Sequence, residues 1–129
     1  MSVEQDIQRM NEFFGMYGTG KTWDEIGQEF SGFYDKDVVY DIGGDSPLGY
    51  DQLIAFGKQA VDGNANFKLD KIEARDDGIY SSGWINLPGA AEGKYVQSIS
   101  KLKDGKFVHI KNVDSASDET VQKVADKVL

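Results

Sequence analysis

The 129-residue sequence has no cysteine and only one histidine. Without cysteine, the chain cannot form a disulfide, a thiolate nucleophile or a thiolate metal site, and this composition fits a reducing cytoplasm. Because His109 stands alone, a metal site cannot be assembled from several imidazoles either. We therefore expect a cytoplasmic protein with no cofactor and no metal site.

Long apolar runs are also missing, and positive charge is in the minority. No segment approaches the roughly 20 consecutive apolar residues that span a bilayer, and residues 1–9 are too polar for a secretory signal. The 22 acidic and 14 basic side chains give a formal net charge of −8, which repels nucleic-acid phosphates and anionic lipid surfaces. We expect a protein that binds neither nucleic acids nor membranes.

What the sequence does contain is enough apolar material for one core. Apolar residues make up 40% of the chain, and they include two tryptophans, six tyrosines and seven phenylalanines. A chain of this length corresponds to one ordinary domain. We expect a single domain over 1–129, with its core at about 5–114 and a C-terminal helix at about 117–129.

The first half of the chain has helical periodicity. Apolar residues recur at helical spacing over 3–17, Thr22 can cap a second helix that ends near residue 33, and a third helix is predicted over 50–62. Between the second and third helices, residues 34–42 are β-branched and aromatic, which is typical of a strand. The predicted order is two helices, a strand and a third helix.

The second half of the chain has the pattern of a meander. Explicit turn sequences at 76–78 and 103–106, and a longer connection at 88–93, separate runs with strand character. Consecutive hairpins of this kind form a curved antiparallel sheet, so the sequence predicts an α+β fold. Its strands are expected at 67–75, 79–87, 94–103 and 106–113.

Four short stretches of the sequence resemble the nuclear transport factor two-like superfamily, which includes ketosteroid isomerases and SnoaL-like cyclases. They are residues 33–41, where the second helix leads into the first strand, 49–56 at the start of the third helix, 103–108 at the last turn, and 113–114. The resemblance implies a cystatin-like cone, in which three N-terminal helices pack into a curved, mostly antiparallel sheet. It also implies a cavity that holds a small apolar molecule.

The resemblance does not extend to the known catalytic groups of two branches of the superfamily. Steroid isomerisation would require a carboxylate near Ile42 and a neutral acid near Ser98. The epoxide hydrolases use an Asp-Arg-Asp arrangement, and here the final-strand position is Asn112, whose amide cannot take a proton from water. Both activities are disfavoured.

A SnoaL-like cyclase needs only one acid-base carboxylate in an apolar pocket. Asp41 and Asp114 lie beside predicted strand ends and are the candidate acid-base groups, with Asn112 as a further candidate catalytic contact. The alternative is that each aspartate is an exposed turn residue. The sequence thus leaves open an isomerase, a cyclase, a hydrolase or a plain ligand carrier.

Trp84 is the main predicted ligand contact. It alternates with Tyr80, Ser82 and Asn86, so all four should project from one face of a strand, which we expect to be the interior face. Ordinary core packing would explain Trp84 equally well. The other predicted ligand-binding residues are Tyr17, Trp23, Phe56 and Ser98.

One motif favours a different function. Residues 15–22 match the P-loop pattern GxxxxGK[ST], which binds nucleotide phosphates. The pattern requires a preceding hydrophobic strand in a parallel sheet, whereas residues 7–14 have helical periodicity. We therefore expect no nucleotide binding.

The competing class of function is a noncatalytic dimerisation or protein-interaction domain. The family resemblance implies a homodimer that pairs through the outer face of the sheet. The residues expected on that face are Tyr95, Gln97, Ile99, Phe107 and His109.

Overall fold

The computed structural model describes residues 2–42, 46–86 and 93–113. Within these ranges it contains three α-helices and one five-stranded mixed sheet, which confirms the α+β class. The predicted C-terminal helix at about 117–129 lies outside the described residues. In chain order the elements are α1 (Val3–Phe14), α2 (Trp23–Ser31), β1 (Tyr34–Asp41), α3 (Tyr50–Asp62), β2 (Asn66–Arg75), β3 (Gly78–Asn86), β4 (Lys94–Lys103) and β5 (Lys106–Asn112).

Each helix begins at a residue whose free backbone amide is satisfied locally. The Ser2 amide donates to the side chain of Gln5 at 3.0 Å, and the Ser2 hydroxyl accepts from the Gln5 amide at 3.2 Å. The amides of Thr22 and Gly49 donate in the same way to side-chain oxygens three residues later, at 3.0 and 2.7 Å. These local hydrogen bonds, reciprocal at Ser2, explain why the helices start where they do.

The sheet has the strand order β1-β5-β4-β3-β2. Strands β2 to β5 form an antiparallel meander, and β1 pairs in parallel with β5. Asp104 and Gly105, both with positive φ (54° and 76°), form the tight turn between β4 and β5. The mostly antiparallel sheet predicted from the turn sequences is thus confirmed, with one parallel pair at the β1 edge.

A bulge in β5 changes which residues face the helices. Lys101 of β4 pairs with His109, but Leu102 pairs with Phe107, so one step along β4 corresponds to two steps along β5. The extra residue reverses the alternation at that point. As a result Phe107 is only 3% exposed and lies in the core, so its predicted place on the outer face with His109 is wrong.

The core lies between the helices and the inner face of the sheet. At its centre is Phe13 of α1, whose ring centroid lies 5.1 Å from that of Phe30, 5.4 Å from Phe33 and 5.2 Å from Phe107. Edge-to-face and tilted ring pairs of this kind are favourable beyond simple burial. The aromatic residues thus hold α1 and α2 against the sheet, and Phe13 and Phe107 also line an interior pocket.

Within the described ranges, none of the helices combines the length and the apolar composition that a membrane-spanning segment requires.

Candidate functional site

A pocket of about 100 Å³ lies between the helices and the inner face of the sheet. Most of its described lining is aromatic or aliphatic, and the polar exceptions are tyrosine and serine hydroxyls. The lining residues are Phe13, Phe14, Tyr17, Tyr34, Tyr40, Leu48, Leu53, Phe56, Phe67, Ser81, Ile85, Val96, Ser98, Ser100, Phe107 and Ile110.

Sheet register places four polar side chains side by side, and three of them line this pocket. Ser81 of β3 pairs with Ser98 of β4, which pairs with Asn112 of β5. The Ser81 and Ser98 hydroxyl oxygens are 3.3 Å apart, and the Tyr40 hydroxyl of β1 donates to Asn112 Oδ1 at 2.9 Å. We call Ser81, Ser98, Asn112 and Tyr40 the polar row.

Tyr40 is fixed by backbone pairing on both sides. It pairs with Ile110 of β5, and it exchanges two backbone hydrogen bonds of 2.9 Å with Leu48, in the segment that precedes α3. Strand alternation then directs the Tyr40 ring inward, towards the pocket that it lines. Its hydroxyl is therefore held beside the Asn112 amide.

Asn112 is the most constrained member of the polar row. Asn112 is only 7% exposed. Its Oδ1 accepts a hydrogen bond from the Tyr40 hydroxyl, and its Nδ2 has no hydrogen-bond partner among the described residues. A buried amide donor without a partner costs about 1–3 kcal/mol. Such a group is unusual in a folded protein, and it lies next to Ser98, which lines the pocket.

Two of the tyrosines at the pocket, Tyr17 and Tyr34, are neutral hydroxyl groups. Burial raises the pKa of Tyr34 well above its usual value, and the neighbouring Tyr17 and Tyr40 raise it further. Burial likewise raises the pKa of Tyr17, with a smaller contribution from Tyr40. They can therefore donate hydrogen bonds at neutral pH but cannot act as tyrosinate bases.

No carboxylate, imidazole or cationic side chain belongs to the part of the pocket lining that the structure describes. Asp41 follows Tyr40 in β1 but does not line the pocket; it pairs in register with Lys111. Asp114 lies outside the described residues. The described lining can bind an apolar molecule and donate hydrogen bonds to it, but it contains no acid-base pair.

Several ligand contacts expected from the sequence do lie at the pocket. Tyr17, Phe56 and Ser98 line it, and Asn112 adjoins it through Ser98 and Tyr40. Trp23 instead packs against Phe30, with ring centroids 5.4 Å apart, and is not part of the lining.

The prediction that Tyr80, Ser82, Trp84 and Asn86 lie on the interior face of β3 is wrong. Trp84 is 52% exposed and Asn86 is also exposed, while Ser81 and Ile85, on the opposite face, line the pocket. The usual alternation signal fails in β3 because its residues 79–83 are buried on both faces. On the outer face, the Tyr80 ring is covered by the Arg75 guanidinium at 3.7 Å.

Sequence reasoning also missed Tyr34, Tyr40, Ser81 and Ser100 as pocket residues. For Ser100 the available signal was its spacing from Ser98, because residues two apart in a strand lie on the same face. Tyr40 could not be identified in this way, because its position depends on pairing with a strand 70 residues later along the chain.

The segment that matches the P-loop pattern is a connection between two helices. α1 ends at Phe14, earlier than the predicted residue 17, and Gly18 and Gly20 then adopt positive φ values of 69° and 77°. Side chains already occupy several of its backbone amides: Gly20 donates to Asn64 at 3.2 Å, Lys21 to Thr19 at 3.3 Å and Thr22 to Glu25 at 3.0 Å. These amides are not free to bind phosphate oxygens.

Among the described residues, no three histidine, aspartate or glutamate side chains are grouped closely enough to hold a metal ion. The absence of a metal site and of a cofactor stays a prediction.

Comparison with known proteins gives matches in structure only. No protein-family model matches the chain, and no curated protein is significantly similar to it in sequence. An LEH-like epoxide hydrolase from M. tuberculosis superimposes with a TM-score of 0.66 at 15% identity, covering 96% of this chain and 91% of that one. A putative SnoaL-like polyketide cyclase from Jannaschia has a TM-score of 0.61 at 15% identity, with 92% and 91% covered.

A third similar structure is an NTF2-like protein of unknown function from Burkholderia xenovorans. Its TM-score is 0.64 at 19% identity, and the match covers 84% of this chain and 81% of that one. At these identities the likeness concerns the fold, and activity has to be argued from the site.

Proposed function

Because the chain has the nuclear transport factor two-like fold, we propose that it binds a small, mostly apolar molecule in its interior pocket. The observation that carries this proposal is the pocket itself, which is lined by aromatic and aliphatic side chains and bordered on one side by the polar row. Ligand sites of small molecules usually have this composition, with a few polar groups that orient the ligand.

The size of the pocket limits the ligand. Its volume is about 100 Å³, whereas an engineered apolar cavity of about 150 Å³ binds benzene. The expected ligand is therefore no larger than a single ring or a short branched chain, and a four-ring steroid is too large. This agrees with the lack of the steroid isomerase groups in the sequence.

The proposal concerns binding, and catalysis is a further step. An isomerase, cyclase or hydrolase of the SnoaL-like type would need one acid-base carboxylate at the pocket, and the described lining contains only hydroxyl groups and apolar side chains. Acid-base catalysis by Asp41 or Asp114 stays a prediction from the sequence.

The test uses toluene as a probe and fills the pocket by mutation. Val96→Phe directs a ring into the pocket, whereas Ile99→Phe introduces the same phenyl ring at a β4 residue outside the pocket lining. We expect calorimetry to detect toluene binding to the wild-type chain and to Ile99→Phe, with affinity reduced by about tenfold or more in Val96→Phe. No toluene binding to the wild-type chain, or equal binding by both variants, would contradict the proposal.

The outer face of the sheet, which points away from the pocket, supports a second candidate function. Trp84 is half exposed there, and its ring packs edge-to-face on Tyr95 with centroids 5.1 Å apart. Large exposed aromatic residues are enriched in protein interfaces. We propose that this face pairs with a second copy of the chain, which is compatible with ligand binding on the inner face.

A further inference from the structure

We propose that the ligand is a neutral alcohol or phenol, and that its hydroxyl group lies between the side chains of Ser98 and Ser100. The inference rests on the proposed binding function and names the chemical class of the ligand. It starts from two serines that β4 presents to the pocket, since both belong to the pocket lining.

Ser100 is the serine whose hydroxyl is unused. The residue is only 2% exposed, and it lines the pocket. Its hydroxyl has no hydrogen-bond partner among the described residues, and its oxygen is not enclosed by them, in contrast to Asn112 Nδ2. A hydroxyl group without a partner in apolar surroundings costs free energy, which a ligand that hydrogen-bonds to it would recover.

Ser98 is the second contact, and it can act in either direction. Its hydroxyl oxygen lies 3.3 Å from that of Ser81, and either serine can be the donor in this bond. If Ser81 donates, the Ser98 proton remains for the ligand, and if Ser98 donates, its lone pairs remain. Ser98 can therefore donate to a ligand or accept from it, according to the direction of its bond to Ser81.

The spacing of the two serines fits one ligand oxygen between them. The register of β4 is regular at this point, where Ser98 pairs with Asn112 and Ser100 pairs with Ile110. Residues two apart on a strand lie on the same face, about 6.5 Å from each other. Two O–H···O hydrogen bonds in succession span roughly 5.5 Å, and serine rotamers cover the difference. A single oxygen can therefore contact both side chains.

A ligand hydroxyl uses these groups more completely than a carbonyl does. Each serine hydroxyl has more lone pairs than protons, so the serines need a proton from the ligand as well as an acceptor for their own. Tyr40 does not supply that proton, because its hydroxyl donates to Asn112 Oδ1 at 2.9 Å. A ligand hydroxyl would join Ser81, Ser98 and Ser100 into one chain of hydrogen bonds, which strengthen one another at low dielectric.

The ligand should carry no charge. The described lining contains no cationic side chain that could balance a carboxylate, and no carboxylate that could balance an amine. Burying an unpaired charge in an apolar pocket costs far more than a hydrogen bond to a neutral hydroxyl returns. A neutral alcohol or phenol on a single ring or short branched chain meets both requirements.

The experiment compares phenol with toluene, which has a methyl group in place of the hydroxyl. Their affinities are measured by calorimetry at neutral pH for the wild-type chain, for Ser98→Ala and for Ser100→Ala. Val96→Ala is the matched control, because Val96 also lines the pocket from β4 but has no hydroxyl. Since the hydration of each probe cancels between variants, the quantity of interest is the change in the ratio of the two affinities.

We expect each serine variant to lower the affinity for phenol, relative to toluene, by about fivefold or more. Val96→Ala should change this ratio by less than about twofold, because it removes apolar contacts from both probes. Retained binding of toluene by the serine variants will show that they are folded with the pocket intact.

Other outcomes separate the two proposals. If toluene binds the wild-type chain but phenol does not, or if either serine variant leaves the ratio unchanged, the hydroxyl inference is wrong and the binding function stands. If neither probe binds the wild-type chain, the binding function fails, and the inference fails with it. Benzaldehyde can accept a hydrogen bond but cannot donate one, so an equal loss of benzaldehyde and phenol affinity in the serine variants would indicate an acceptor ligand and overturn the inference.

A measurement on the wild-type chain tests the same contacts without any substitution. The Cβ resonances of Ser98 and Ser100 should move further on addition of phenol than on addition of toluene. The Cβ resonance of Ser31, whose hydroxyl donates to the Gly27 carbonyl within α2, should stay in place with both probes. Equal shifts of Ser98 and Ser100 with the two probes would contradict the proposed hydrogen bonds.

Discussion

At the scale of single residues, buried hydroxyl groups distinguish this pocket from an ordinary apolar core. Tyr34 is buried among the rings of Phe13, Phe30 and Phe107. Its pKa is raised by that burial and by its neighbours Tyr17 and Tyr40. As a consequence, the stability of the fold should depend on pH in the alkaline range.

We predict that Tyr34→Phe reduces the loss of stability at high pH. Above about pH 10, Tyr34 loses its proton in the unfolded chain but keeps it in the folded chain. Its contribution to stability is therefore complete below that pH and is lost as the pH rises further. Between about pH 9 and pH 11, the variant should lose roughly 1 kcal/mol less free energy of unfolding than the wild type. Urea unfolding at the two pH values measures this difference, and equal losses would contradict it.

A pocket residue could be predicted from the sequence only where the alternation of its own strand indicated the inner face of the sheet. Ser98 follows the alternation of its strand, whose inner face it shares with Val96 and Ser100. Trp84 was misassigned because the middle of β3 is buried on both faces and has one serine on each, so alternation alone could not tell the inner face from the outer one. Tryptophan usually prefers burial, but here Trp84 packs edge-to-face on Tyr95 at the surface.

At the scale of secondary-structure elements, α2 and α3 can pack closely because Gly57 has no side chain. Gly57 of α3 faces the ring of Phe30 of α2, and a Cβ at Gly57 would lie 2.8 Å from Phe30 Cζ and closer still to Cε1. Phe30 is fully buried, so its ring cannot move aside. The close approach of the two helices therefore requires glycine.

We predict that Gly57→Ala destabilises the fold by about 1–3 kcal/mol, the usual cost of an overpacked core. In an unobstructed helix the same change would stabilise by up to about 1 kcal/mol, so the sign of the effect reports the steric contact. Chemical denaturation gives the value.

Gly15→Ala is the matched control for this prediction. At that C-terminal helix cap the backbone is right-handed helical, and an added Cβ would meet only the carbonyl oxygens of Asn11 and Glu12 at 3.4 Å, so stability should change by less than about 1 kcal/mol. A Gly57→Ala variant as stable as Gly15→Ala would show that the helices can separate without cost.

The elements themselves were largely predictable, and their irregularities were not. Turn sequences such as Asp104-Gly105 and the cap at Thr22 fixed the positions of strands and helices within a few residues. The bulge that turns Phe107 inward depends on pairing with Lys101 and Leu102 across the sheet. A local sequence pattern carries no information about that register.

At the scale of the whole molecule, the outer face of the sheet is where a second copy is expected. We predict that the wild-type chain sediments as a dimer and that Trp84→Asp weakens dimerisation by about tenfold or more, because exposed tryptophans often dominate interface energies. Val3→Asp is the control, since Val3 is 49% exposed at the start of α1. A monomeric wild type, or equal effects of the two substitutions, would contradict this.

The place of β5 between β1 and β4 also governs how the chain can fold as it is synthesised. The Tyr40–Asn112 bond joins residues 72 positions apart, and the bond from Arg9 to the Gly105 carbonyl joins residues 96 apart. The β2–β3–β4 meander can form from neighbouring segments, but β1 has no neighbouring strand of the sheet until β5 has left the ribosome. Until then the apolar faces of α1, α2 and β1 are incompletely covered, so a nascent chain of this topology is most prone to aggregation just before its last strand emerges.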